Sequence, residues 1–280
     1  MATMRNWEFA KGHGTKNDFV LLKDRTNSTE LSPEDVRYLC DRRAGIGGDG
    51  VIRAVWAGYM PSWTGDPDMW FMDYRNSDGS VAEMCGNGLR VFGRFLLDEG
   101  LVDSPDVQVA TRAGQRDVAQ LNDHLFRAGI GHVMVAPDPT WVRLGGREFE
   151  ATTVDVGNPH AVVCLPEDVR LESLDLSVAP EFDTAVYPAG TNVEFVRQES
   201  DRELTMRVFE RGSGETMSCG TGVVATAAAQ AARLGEEGVF AVDVPGGHLT
   251  VELDHGDAHL VGPALIVAHG SVILPEDRQG

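Results

Sequence analysis

Two cysteines sit where sulfur can do chemistry. Cys85 and Cys219 each open a Cys-Gly-x-Gly turn, Cys85-Gly-Asn-Gly88 and Cys219-Gly-Thr-Gly222, and each turn leads into a segment that reads as helix. A helix start presents unsatisfied amide N–H groups and partial positive charge, and glycines let an anion approach the backbone closely. The same field lowers a thiol's pKa from about 8.5 toward neutrality, which makes the sulfur a usable base without a cofactor. Two such thiols suit inversion at a carbon next to a carboxylate: one base alone would return the proton to the face it left, whereas an opposed thiolate and thiol take it from one face and deliver it to the other. A positioned acid–base group contributes about 10²–10⁴ in rate, far short of the roughly 8–23 kcal/mol by which enzymes lower barriers. Amide donors aimed at the developing enediolate, worth about 2.7–4 kcal/mol each, are the natural remainder. A single such turn would be a tight bend with a small residue in it. Two copies at matching places point to chemistry.

The elements that carry the turns repeat. A shift of 134 residues places Cys85 on Cys219, Gly86 on Gly220, Gly88 on Gly222 and Met72 on Met206. Both copies read as a short apolar strand (Met69–Tyr74; Leu204–Phe209), a polar turn, the Cys-Gly-x-Gly step, then a helix. The spacing of Leu89, Phe92 and Leu96 predicts a helix over 89–98 stopped by Gly100, and an Ala-rich helix over 223–234 is stopped by Gly235. The second helix has almost no polar face, which predicts burial between layers. Strands are expected at 19–22, 51–55, 107–109, 154–156, 193–196, 239–244, 249–253 and 264–268. The fold class is α/β (α+β) in two similar halves, each a sheet wrapped on a helix that starts just after a cysteine. The halves are expected at 1–129, with the tail 266–280 returning to it, and at 130–265.

Composition removes several functions. With 24 basic against 43 acidic side chains in 280 residues, the chain carries −19, a field that opposes nucleic-acid phosphates. No apolar run approaches the roughly 20 residues of a membrane span, and the first residues lack a signal peptide's apolar stretch, so a cytoplasmic protein is expected. The four cysteines lie far apart, which suits neither a disulfide framework nor a CxxC metal site, and Cys40 and Cys164 read as buried packing residues. Gly45-Ile-Gly-Gly-Asp-Gly50 matches GxGxxG by chance, since a helix precedes it and a strand follows, the reverse of a dinucleotide site. His255 and His259 flank Gly256-Asp257, a turn rather than a metal-binding helix turn, so no metal is expected. The acidic end, 275–280, reads as solvated.

At these residues the sequence resembles the diaminopimelate epimerases nearly end to end. The resemblance rests on Phe9–Phe19, Asp41–Gly50, Asp73–Ser80 with Cys85–Gly88, Gly157-Asn-Pro-His160, Asn192 within Gly-Thr-Asn-Val, Glu210–Glu215 with Cys219–Gly222, and Pro245-Gly-Gly247. It implies two pseudo-symmetric domains, each a mixed sheet around a central helix, a homodimer, no cofactor, and interconversion of the LL and meso forms of 2,6-diaminoheptanedioate, a diamino dicarboxylate. It also implies that Cys85 and Cys219 are the acid/base pair and that Gly86, Asn87, Gly220 and Thr221 cradle the reacting carboxylate. Asn17, Asn76, Asn158, Asn192, Glu210 and Arg211 would then hold the substrate's other charged groups, an assignment that suits an Arg fork for carboxylate and a Glu for ammonium. His160 either orients the site or caps a strand. Two positions depart from the family pattern: Lys16, where many relatives have Gly, and Gly50, where some have Gln.

A proline-racemase-like enzyme shares the thiol-pair logic but takes a substrate with one charged head, against which the Glu210–Arg211 pair and the Asn residues argue. A redox protein or a carboxylate-binding module without turnover would tolerate loss of one cysteine.

Overall fold

Runs of β-branched residues punctuated by glycine make this a chain of strands. The structure, a computed structural model, describes residues 4–29 and 31–275. Its elements in chain order are β1 (Met4–Gly14), β2 (Asn17–Lys23), α1 (Pro33–Cys40), β3 (Gly50–Trp56), β4 (Trp70–Asn76), α2 (Gly86–Asp98), β5 (Asp106–Thr111), β6 (Gly114–Gln120), β7 (Leu125–His132), β8 (Met134–Leu144), β9 (Arg147–Asp155), β10 (Pro159–Cys164), β11 (Glu181–Phe182), β12 (Asn192–Gln198), β13 (Glu203–Glu210), β14 (Gly214–Thr216), α3 (Gly220–Leu234), β15 (Gly238–Val244), β16 (Gly247–Asp254), β17 (Asp257–Pro263) and β18 (Leu265–Pro275). It is a sheet-dominated α+β fold. One compact unit runs to Phe126 and takes back the chain from Pro263; the other is Arg127–Gly262. The sequence reading had placed these divisions at 129 and 265. Of the acidic end, residues 276–280 lie outside the described residues.

The repeat is written in the ladders. In the first unit β1 runs antiparallel to β18 and β2, β2 parallel to β3, β3 antiparallel to β4, β4 parallel to β5 and β5 antiparallel to β6. In the second, β9 runs antiparallel to β10, β10 parallel to β12, β12 antiparallel to β13, β13 parallel to β15 and β15 antiparallel to β16. A parallel pair needs a crossover, and in each unit the second crossover is the helix that follows a cysteine, α2 or α3. Register then equates individual residues. Phe19 and Leu21 lie opposite Gly50 and Ile52, as His160 and Val162 lie opposite Asn192 and Glu194. Ile52 faces Tyr74 across the next ladder as Glu194 faces Val208.

Local chemistry sets the element ends. Ser32 caps α1 with its side chain on the Asp35 amide, Asp35 caps back, and Pro33 occupies the first turn. Gly235 ends α3 in the left-handed conformation, φ 71°. α3 is buried over most of its surface, as its composition requires. The β1–β2 turn uses Thr15 (φ 50°) and Lys16 (φ 64°), so Lys16 holds a conformation that glycine adopts without cost. The Gly45–Gly50 segment is a loop entering β3, and His255 lies in the β16–β17 turn with His259 on β17.

Cys164 corrects the sequence reading. It is exposed, because β10 puts Ala161 and Val163 into the core and turns Val162 and Cys164 to its other face. There Cys164 borders a cavity of about 490 Å³ beside Thr226, Gln230 and Arg233 of α3. Cys40 is buried as expected, and burial pushes its thiol up to about 12.

The first unit holds a buried ion cluster centred on β3 and β4. Arg53 bonds Asp24 at 3.0 Å and Asp73 at 2.8 Å, and all three are buried. Burial alone would raise the Asp73 carboxyl, but the Arg112 hydrogen bond and the charges of Arg53, Arg112 and Arg75 hold it below its ordinary value. A lowered carboxyl contributes stability that is present above its ordinary value and lost as pH falls through the folded one. The urea midpoint is therefore expected to fall on acidification below the ordinary carboxylate range. Arg53→Met, which leaves two buried carboxylates short of a partner, is expected to cost about 3–5 kcal/mol. A loss under 1 kcal/mol in urea unfolding would contradict that role for Arg53.

Candidate active site

Each thiol is the first cap of its helix. Cys85 has extended backbone, φ −140° and ψ 122°, and its Sγ accepts the Gly88 N–H at 3.4 Å. Cys219 has φ −113° and ψ 112° and no side-chain cap bond; its Sγ lies 3.5 Å from Thr221 Oγ1. Both helices thus begin at the glycine after the cysteine, three residues earlier than hydrophobic spacing predicts, because a glycine pair carries no apolar signal.

In the first unit an amide chain fixed by charge at both ends surrounds Cys85. Arg90, fully buried on α2, donates to Asn87 Oδ1 at 2.9 Å. Asn87 Nδ2 donates to Asn17 Oδ1 at 3.2 Å, and Asn17 Nδ2 donates to Asp49 Oδ2 at 2.8 Å. A guanidinium only donates and a carboxylate only accepts, so neither amide can reverse without meeting like with like. The carbonyl of Asn17 therefore faces Cys85, whose Sγ donates to it at 3.6 Å when protonated. Arg42 and Lys11 brace the far end, at 2.7 and 2.6 Å from Asp18, and Arg42 also reaches Asp49 at 2.7 Å. Burial would raise the Asp18 carboxyl, but the Arg42 and Lys11 bonds hold it well below its ordinary value. Asn76 ends β4 and donates to Ser80 Oγ at 3.0 Å, within its own turn.

In the second unit the chain runs Asn158, His160, Glu194. His160 is fully buried, its Nδ1 2.7 Å from Glu194 Oε1 and its Nε2 3.2 Å from Asn158 Oδ1. His160 stands second in β10, with both ring nitrogens engaged. Glu194 is fully buried too, and its Oε2 has no hydrogen-bond partner. Asn192, which starts β12, accepts the Arg211 N–H at 2.9 Å and donates to the Pro159 carbonyl at 3.4 Å, fixing the backbone on which Arg211 stands. Arg211 is exposed and reaches the Ala189 carbonyl at 3.2 Å. Glu210 accepts from the Thr216 hydroxyl. Burial first, then the charges of Glu210 and Glu194, push the Cys219 thiol well above its ordinary value.

The structure therefore gathers Asn17, Cys85, Gly86 and Asn87 in one unit, and Asn158, His160, Asn192, Glu210, Arg211, Cys219, Gly220 and Thr221 in the other. Sequence reasoning missed Asp49, Arg90 and Glu194. The last two carry a signal: each is a charge inside an otherwise apolar run, Leu89-Arg-Val-Phe92 and Val193-Glu-Phe-Val196. Among the described residues no group of three or more His, Cys, Asp or Glu is placed to hold a metal.

The duplicated α+β frame is a fold shared with several solved structures. The structure is similar to a hydroxyproline epimerase from Agrobacterium vitis (TM-score 0.72, 16% identity, 99% of this chain and 95% of that one) and to a PhzF-family protein from Enterococcus faecalis (0.68, 13%, 96% and 100%), which establishes the fold alone. At the level of sequence, the diaminopimelate epimerase model matches residues 9–135 and 152–273. Diaminopimelate epimerases from Thermobifida fusca and Corynebacterium glutamicum are 47% and 45% identical, over 95% and 94% of this chain and 98% and 97% of their own lengths. The chain belongs to the diaminopimelate epimerase family.

Gly50 has a steric reason. A Cβ there would lie 2.5 Å from the Arg75 carbonyl oxygen and 2.6 Å from Tyr74 Cε2. Gly50→Gln, which restores the family's alternative, is expected to cost about 1–3 kcal/mol through overpacking. An unchanged unfolding midpoint would show that the strand can shift to admit it.

Proposed function

We propose that this enzyme interconverts LL- and meso-2,6-diaminoheptanedioate without a cofactor, as an isomerase of lysine and peptidoglycan precursor synthesis. The observation that carries the reading is the duplicated Cys-Gly-x-Gly helix start within a chain of this family. In the proposed reaction one sulfur, as thiolate, takes the α-hydrogen of one amino-acid head. The electron pair left on carbon is delocalised into the adjacent carboxylate, and the opposite sulfur gives its proton to the other face. One C–H bond breaks and one forms, and the sulfurs exchange protonation states. The amides of Gly86, Asn87, Gly220 and Thr221 would bind the reacting carboxylate, where aligned N–H donors meet the charge of the enediolate.

The remaining polar residues would read the second head. Glu210 suits the ammonium and the Arg211 fork the carboxylate, while Asn76 and Asn158 add amide contacts. Asn17 and Asn192, whose amides bond protein groups, would hold the thiol and the Arg211 backbone in register, with His160 orienting Asn158. A substrate with one charged head offers no second ammonium and carboxylate for Glu210 and Arg211 to read, which disfavours the proline-racemase reading. The family reading also carries a cytoplasmic homodimer. No helix among the described residues is long and apolar enough to cross a membrane.

Purified protein given LL-diaminopimelate in D₂O, without pyridoxal phosphate or added metal, is expected to yield meso product carrying deuterium at the inverted carbon. Unlabelled product, or dependence on added pyridoxal phosphate, would overturn the mechanism. Cys85→Ala and Cys219→Ala are each expected to lose at least about 10²–10⁴ of the epimerisation rate. Turnover of proline in place of the diamino acid would favour the rival.

A further inference from the structure

The two units differ most where the ladders equate them. Glu194 stands at the register position of Ile52, and His160 at that of Phe19. The helix contact is equivalent as well: a Cβ on Gly88 would meet Ile52 Cδ1 at 3.1 Å, and a Cβ on Gly222 would meet Glu194 Oε1 at 2.6 Å. Where the first unit packs a hydrocarbon under its catalytic turn, the second packs a carboxylate. The helices invert this. α2 carries the buried cation Arg90 one turn after its start, and the 134-residue shift puts Val224 at that place in α3. One thiol is thus backed by a buried positive charge and the other by a buried negative one.

We propose that Glu194 is a positioning residue of the reaction: seated against the first turn of α3, it holds Cys219 in its S–H form at rest, so that Cys219 begins as the proton donor and Cys85 as the base. The inference rests on the two-thiol reading above. A carboxylate at a helix start is itself stabilised by the amide dipoles, so it occupies the field a Cys219 thiolate would need. The groups facing Cys219 are Glu194 on β12, Glu210 on β13 and Thr221 on α3 itself, with His160 on β10 held to Glu194. Of the two acids, Glu210 is half-buried and is matched by the substrate's ammonium in the reading above, whereas Glu194 is fully buried and bonded to His160. Cys85 has a partner in either state. As thiol it donates to Asn17 Oδ1, and as thiolate it accepts the Gly88 N–H in the field of Arg90, with which it interacts electrostatically.

The test reads each sulfur separately. Reduced, substrate-free enzyme is alkylated with iodoacetamide across a pH series, and modification of Cys85 and of Cys219 is followed by peptide mass spectrometry. Midpoints of the pH–rate profiles, rather than rates, remove the effect of unequal access. In the wild type Cys219 is expected to have the higher midpoint. Glu194→Gln, which keeps an oxygen for His160, is expected to lower the Cys219 midpoint by about one pH unit or more, roughly a tenfold gain in alkylation below it, while the Cys85 midpoint stays put. Glu194→Asp should restore the wild-type value in large part. Should Glu194→Gln fail to fold, the paired change His160→Phe with Glu194→Ile, which installs the first unit's own residues, reads the same shift. A wild-type Cys219 midpoint at or below that of Cys85, or a folded variant that leaves it unmoved, overturns the proposal. Alkylation needs no turnover, so failure of the D₂O experiment would sink the epimerase reading without deciding this one.

Discussion

A helix whose first turn presses on the strands beneath it must keep side chains off that face, and the rest of the site is arranged around that constraint. Both helices meet it with glycine. The need is steric as well as electrostatic, since a Cβ on Gly88 would press on Met72 and Ile52 and one on Gly222 on Glu194. Because the helix is the crossover of a parallel strand pair, its N-terminus must emerge at the end of the strand before it, beside the starts of β2 and β3 or of β10 and β12. Those starts carry Asn17 and Gly50 in one unit and, in the other, Asn192 and, one residue before β10, Asn158. The sulfur and the polar groups that brace it are neighbours because of the ladder, although they are far apart along the chain.

How much of this could be read in advance follows from which signals are local. The cysteine turns, the repeat, the Ala-rich helix and the strands with β-branched runs are local, and the structure has them. β1 and β6 are not. β6, Gly114-Gln-Arg-Asp-Val-Ala-Gln120, offers one fully buried residue, and it is a strand because β5 pairs with it. Cys164 was misread for a related reason: an apolar run does not say which face of a strand each residue takes, and β10 is covered by core on one side and opens on a cavity on the other. Arg90 and Glu194 were present in the sequence as charges in apolar runs. Their meaning was not, since it depends on which neighbours packing turns toward them: Asn87 and Cys85 for Arg90, and His160, far along the chain, for Glu194.

The duplication makes the departures from symmetry informative. Two copies of one frame would place two sulfurs in equal surroundings, and equal sulfurs would divide one proton evenly. The chain keeps the frame and breaks the charges: arginine beneath one turn, a glutamate–histidine pair beneath the other. Such groups are hard to bury. Arg90 leaves Nε and Nη1 without hydrogen-bond partners, and Glu194 leaves Oε2 so. An unpaired buried polar atom costs on the order of 1–3 kcal/mol. These charges stand where the opposite unit uses isoleucine and valine, which shows that the frame itself does not require them.

A proton-sharing pair with unequal members does not alter the equilibrium between the substrate isomers, because the enzyme is regenerated in both directions. What the inequality sets is the form in which free enzyme waits. In the two-thiol reaction proposed above, each turnover would move a proton from one sulfur to the other, and the starting form would have to return before the same isomer could be used again. Each unit of pKa difference between the thiols is worth about 1.4 kcal/mol, a tenfold preference for one waiting form. On the proposal made above, the isomer whose α-hydrogen faces Cys85 would meet a ready base in most enzyme molecules. Its counterpart depends on the minority form, and solvent exchange at the sulfurs must replenish that form. In a frame built by duplication, directionality at the level of the free enzyme can come only from what the copies do not share, and the buried charged groups among these that interact with the thiols are Arg90 in one unit and Glu194, bonded to His160, in the other.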